Sequence, residues 1–186
     1  MTAREESIVD SLKKRLTDEF FKIEKNDNLT PDQKADKIIF TTSALCAGIA
    51  LQPIPFADMA ILTPIQIFMA KKLGDVRGLP MTKEKAAEIV KVVGGVIGLG
   101  FAAQQTAIGL YKIGLPGLGG FMSVPLVAGL TYGIGKAVDT YMIITKQGRT
   151  PTADEIKKVF RQSKKEGKKI KPKLLSGSEG QADENK

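Results

Sequence analysis

Two uncharged runs, residues 92–111 and 113–135, fill the middle of this 186-residue chain with Lys112 between them. Helices built from about 20 residues without a charge cannot rest on a solvated surface, so each must be wrapped in protein or in lipid. Both runs are rich in Gly and Ala; the first holds Gln104, Gln105 and Thr106, and the second holds Pro116 and Pro125. The chain has no Trp and three Tyr, a poor supply for an aromatic belt at a membrane interface. These features favour a packed core in a soluble or membrane-peripheral protein. An inserted hairpin is the alternative.

Charge is partitioned along the chain. Residues 1–37 carry 8 basic and 9 acidic side chains, residues 38–147 carry 9 and 5, and residues 148–186 carry 11 and 6. Nine of the basic residues lie between Lys157 and Lys173, opposed there by Glu166 alone. Much of the net charge of +8 thus forms one C-terminal patch suited to an anionic surface. Phospholipid fits better than nucleic acid, because no aromatic residues are interleaved for base stacking.

Catalytic chemistry has little to build on. There is no histidine, and Cys46 is the sole cysteine, set in an apolar run. No internal disulfide can form, and neither a metal cluster nor a cofactor site is expected. The lone thiol suits a reducing, cytosol-facing compartment. The N-terminus has charges where a secretory signal needs an apolar stretch, so export is not expected. Two nucleotide motifs fail on inspection. Gly98-Leu99-Gly100 lacks a preceding strand, and the run ending Gly135-Lys136 has Ala137 where a P-loop needs Ser or Thr.

Periodicity predicts an all-α protein, a Gly/Ala-rich bundle of about six to seven helices with a disordered basic C-terminal tail. Residues 3–26 read as an amphipathic helix with one stripe of Ile8, Leu12, Leu16, Phe20 and Ile23. Thr30-Pro31-Asp32-Gln33 is a capping box with proline at the first helical position, opening a helix to about Leu51. A third helix is expected from Asp58, as its N-cap, to Val76, kinked by Pro64. A fourth starts after Thr82, with a break or close contact near Gly98 and Gly100. The loop 114–120 precedes a helix from about Val124 to Lys146, and a short basic helix covers about Thr152 to Lys165. The expected divisions are an N-terminal helix over 1–29, a helical core over 30–147, a basic helix over 148–166 and a disordered tail over 167–186.

Several residues are candidates for function. The spacings Gly94/Gly98 and Gly129/Gly133 allow two helix backbones to approach closely. Asp58 and Asp139 stand in apolar surroundings; the expected roles are an N-cap for Asp58 and a pairing with Lys136 for Asp139. Lys157, Lys158, Arg161, Lys164, Lys165, Lys168 and Lys169 form the candidate anionic-surface site, beside Ile156, Val159 and Phe160 on the same helix.

The segment PIPFADMAILTPIQIFMAKKLG, followed by LPGLGG and TYGIGKAVDTYM, resembles the helical GTPase-associated domain of unknown function of bacteria. The likeness covers about residues 32–146. Its best motif is matched by Pro53, Pro55, Asp58, Thr63, Gln66 and Met69, with Pro64 as a departure. The resemblance implies an all-helical unit that works beside an Era-like or dynamin-like GTPase, often at the inner membrane, without established catalytic residues. These 186 residues include no GTPase domain, so such a partner would act in trans. The sequence therefore reads as a non-enzymatic helical adaptor at the cytoplasmic membrane face, acting with a GTPase or with further copies of itself. The competing reading is a membrane-inserting or pore-like protein that uses residues 92–111 and 113–135.

Overall fold

The computed structural model describes residues 3–50, 57–98 and 118–173, with side chains described over 6–50, 61–98 and 123–173. Six helices make up these residues: α1 (Ala3–Glu24), α2 (Pro31–Ile49), α3 (Ala57–Val76), α4 (Lys83–Ile97), α5 (Leu118–Lys146) and α6 (Ala153–Gly167). No strand occurs among them. The fold is all-α.

Local chemistry sets the helix ends. Thr30 accepts from the Gln33 backbone N–H while the Gln33 side chain accepts from the Thr30 N–H, and Pro31 follows the cap. Thr152 and Glu155 repeat this box at α6, and Thr82 caps α4 through the Lys85 N–H. Each box satisfies backbone donors that a helix start leaves without partners. Gly98 ends α4 with φ +79°, a left-handed conformation that favours glycine. The break expected near Gly98 is therefore a helix end.

Two prolines lie inside helices. α3 is assigned as one helix through Pro64, and α5 begins at Leu118 and continues through Pro125. Each proline removes one intrahelical hydrogen bond. The burial of apolar side chains on both helices outweighs that loss, with Ile61, Leu62 and Ile65 flanking Pro64, and Val127, Ala128 and Leu130 following Pro125. α3 starts at Ala57, which sets Asp58 in the first turn instead of at the cap; its side chain lies outside the described residues.

α5 is the central helix. On one side, a Cβ on Gly135 would lie 2.7 Å from Ile39 and 3.2 Å from Met69, so α2 and α3 press directly onto its backbone. On the other side lies α6. One core runs through all six helices, from Leu12, Leu16 and Phe20 of α1 to Ile156 and Phe160 of α6. Phe20 stacks on Phe68 of α3 with ring centroids 5.7 Å apart. The amphipathic stripe of α1 is thus the lid of the common core.

The run at 113–135 is α5 from residue 118 onward, and its described side chains are mostly buried in protein. Of the run at 92–111, residues 92–97 finish α4 and 99–111 lie outside the described residues. No described helix is long and apolar enough to cross a membrane.

Candidate functional site

Gly129 and Gly133 are where α6 crosses α5. A Cβ on Gly129 would come within 2.7 Å of the Lys164 carbonyl oxygen, and one on Gly133 within 2.9 Å of the Phe160 ring. Gly167 meets Gly129 Cα at 3.0 Å from the position of its own absent Cβ. Ile156, Phe160, Ser163 and Gly167 form the buried face of α6. Gly94, in contrast, has nothing within 4 Å of its Cβ position among the described residues, and Gly98 serves as the helix end. Among the described residues the Gly94/Gly98 spacing meets no neighbouring helix.

Seating the glycine face of α5 against α6 turns the cations of α6 outward. Lys158, Arg161, Lys165, Lys168 and Lys169 are exposed, and Lys157 and Lys164 are half-buried. The two acids at the start of the helix are placed apart in role. Glu155 is taken by Arg149 at 2.9 and 3.1 Å and by the Thr152 cap. The Arg149 hydrogen bonds and the Thr152 N–H hold its carboxyl down, from 4.5 to about 2. Asp154 remains at the edge of the shallow surface formed with Lys157, Lys158, Arg161, Gln162 and Lys165.

A cleft of about 550 Å³ opens between the basic row of α6 and the end of α4, with Ile97 as its apolar wall. Lys164 and Lys168 enter it from above Gly129. Lys164 Nζ stands 5.6 Å from the centroid of the Phe160 ring. Burial, and then the charge of Lys168, push the Lys164 ammonium below its usual pKa.

The segment after α6 folds back onto the body. The Lys173 N–H donates to the Ala44 carbonyl at 2.8 Å, and its Nζ donates to Glu19 at 3.2 Å. Residues 168–173, expected in the tail, are therefore tied to α1 and α2; residues 174–186 lie outside the described residues.

Asp139 does not pair with Lys136. It is buried and receives both Nε and Nη2 of Arg77 at 2.7 Å, while Arg77 Nη1 bonds Asp32 in the first turn of α2. Lys136 reaches across to Asp36 of α2 at 2.6 Å, and Lys146 donates to the Arg77 carbonyl at 2.6 Å. Hydrogen bonding to Asp139, outweighing burial, raises the Arg77 pKa. On Lys136, burial opposes the charge and the Asp36 hydrogen bond raises it, and the raising effect wins. This network clamps α2, the α3–α4 turn and α5 together; all its charges are matched, which suits a structural joint. No sequence signal pointed Arg77 to Asp139: Asp75 stands two residues away and Glu84 and Glu88 follow on α4, so local spacing favours other acids.

The remaining motif residues divide by location. Thr63 is exposed, Met69 packs toward Gly135, and Gln66 is buried. Gln66 Nε2 and Thr131 Oγ1 have no hydrogen-bond partner among the described residues. Pro53 and Pro55 lie outside the described residues. Among the described residues no group of His, Cys, Asp and Glu could hold a metal ion. Cys46 is buried.

Residues 19–169 match the domain of unknown function DUF697. The chain belongs to this family. The match runs from the end of α1 through α6, beyond the span expected from the motifs, so the basic helix is part of the DUF697 unit. Magnetosome membrane protein 22 of Magnetospirillum gryphiswaldense is 28% identical over 163 residues, covering 84% of this chain and 82% of that protein. No solved structure matches at a significant level.

Proposed function

We propose that this DUF697 protein is a non-enzymatic, membrane-associated helical protein that docks on anionic phospholipid at the cytoplasmic face of the inner membrane. The observation that carries the reading is the outward face of α6. There Lys157, Lys158, Arg161 and Lys165 stand together on a helix anchored rigidly to the core. Each such charge contributes about 1 kcal/mol near an anionic surface. A relative named as a membrane protein supports it. Pairing with a GTPase in trans, or with further copies of the chain, is the second element of the proposal; it rests on the family resemblance and is tested by copurification from native membranes.

Flotation with vesicles of anionic phospholipid tests the docking. The protein should float at low salt and release as salt rises, because screening shortens the reach of exposed charges to about 8 Å at physiological ionic strength. Reversing Lys157, Lys158, Arg161 and Lys165 to Glu should abolish flotation while leaving helicity intact. A folded variant that still floats would replace this reading with insertion of apolar sequence.

A further inference from the structure

We propose that the C-terminal end of α4, from Val92 to Gly98, seats in the glycerol and upper acyl region of an anionic bilayer, beside the headgroups that α6 contacts. The inference rests on the membrane reading and gives it an orientation and a depth: α6 supplies the attraction, and the end of α4 is the part that leaves water.

Three observations carry it. The first is burial. Residues 92–98 hold no charge, and an uncharged helix must be wrapped in protein or in lipid. α5 meets that demand in the core, but at the end of α4 only Val93 is buried. Val92 is 42% exposed, Gly95 is exposed, and Gly94, Val96, Ile97 and Gly98 are half-buried. No described atom lies within 4 Å of the Cβ positions of Gly94 and Gly95. The second is charge sorted along the helix. Lys83, Glu84, Lys85, Glu88 and Lys91 are exposed over residues 83–91, and no charge follows them in α4. Lys91 stands at the boundary, where a long side chain keeps its ammonium among headgroups while the helix beyond it leaves water. The third is complementarity. Ile97 lines one cleft with Arg161, Lys165 and Lys168 of α6, so a bilayer drawn to those cations meets the end of α4 at the same place. The depth is shallow. No described helix can cross a membrane, and residues 92–98 rise about 10 Å along the helix axis, comparable to the roughly 5–10 Å reached by interfacial helices. So few apolar side chains add to the electrostatic docking and do not replace it.

The chain has no Trp, so Val92→Trp places a single fluorophore at the end of α4, and Phe40→Trp places one on the exposed side of α2, across α5 from α6. The full-length variants are added to vesicles of phosphatidylglycerol and phosphatidylcholine whose acyl chains are brominated near their carbonyl ends. The Val92→Trp protein should shift its emission to the blue and be quenched, while the Phe40→Trp protein binds with unchanged emission. Val92→Asn should weaken vesicle binding about three- to five-fold with no change in net charge. Gly95→Trp, at an exposed position, replaces Val92→Trp if the latter loses helicity by circular dichroism. Vesicle binding without a blue shift or quenching at the α4 end, or Val92→Asn with wild-type affinity, would overturn the seating while leaving the membrane reading in place. Quenching at position 40 equal to that at position 92 would overturn the proposed orientation and the inference with it. Failure to bind the anionic vesicles would overturn both readings. A blue shift without vesicles that grows with protein concentration would assign the end of α4 to a second copy of the chain and overturn lipid as its occupant.

Discussion

Replacing Arg77 with Met removes the centre of the clamp without removing its volume. The side chain of Arg77 is 11% exposed and that of Asp139 is 7% exposed, so the substitution strands a carboxylate in the interior between α3 and α5. Breaking a buried pair from one side typically costs about 3–5 kcal/mol, dominated by the charge left behind. For a domain of this size each kcal/mol lowers Tm by roughly 2–4 °C, giving a fall of about 6–20 °C. Asp32 offers a built-in contrast. It bonds the same guanidinium but is 81% exposed, so Asp32→Ala should leave stability close to that of the wild type. The double variant Arg77→Met, Asp139→Leu should recover most of the loss, because no charge then remains buried. Urea denaturation followed by circular dichroism measures the three variants against the wild type. An Arg77→Met protein within 1 kcal/mol of wild type would refute the argument that this pair is desolvated in the fold.

Other outcomes follow from the α5–α6 contact. Gly133→Leu should cost about 1–3 kcal/mol by driving α6 off Phe160's seat, and limited proteolysis near residue 150 should detect the released helix. The Glu155 carboxyl is depressed from 4.5 to about 2, so its contribution is complete above pH 4.5 and is lost as pH falls toward 2. Amide exchange at the start of α6 should accelerate across that window in the wild type and not in Glu155→Gln. Deleting residues 157–186 should destabilise the whole domain, not merely release it from lipid, because Phe160 and Gly167 leave the core with it. A truncated protein with wild-type Tm would show that α6 is dispensable to the fold.

Helix positions were readable from sequence because their determinants are local. The Thr30–Gln33 and Thr152–Glu155 boxes act over four residues, and the stripe of Leu12, Leu16 and Phe20 depends only on helical period. The cations of α6 were equally legible, since Lys and Arg need no partner to announce a basic face. Partner choice was not legible. Asp139 lies one turn from Lys136, yet the fold gives Asp139 to Arg77, 62 residues away in sequence, and Lys136 to Asp36, 100 residues away. Local spacing cannot rank such pairs, because a buried carboxylate takes the donor that follows it out of water. The glycines make the same point. Gly94/Gly98 and Gly129/Gly133 share one spacing, but only the second pair meets a described neighbour, because α6 returns across α5 while Gly98 ends its helix. The sequence alone determined which segments are helical and which surface is cationic. Tertiary structure decided which helices touch and which charges are matched in the interior, since those outcomes depend on chain segments that meet only after folding.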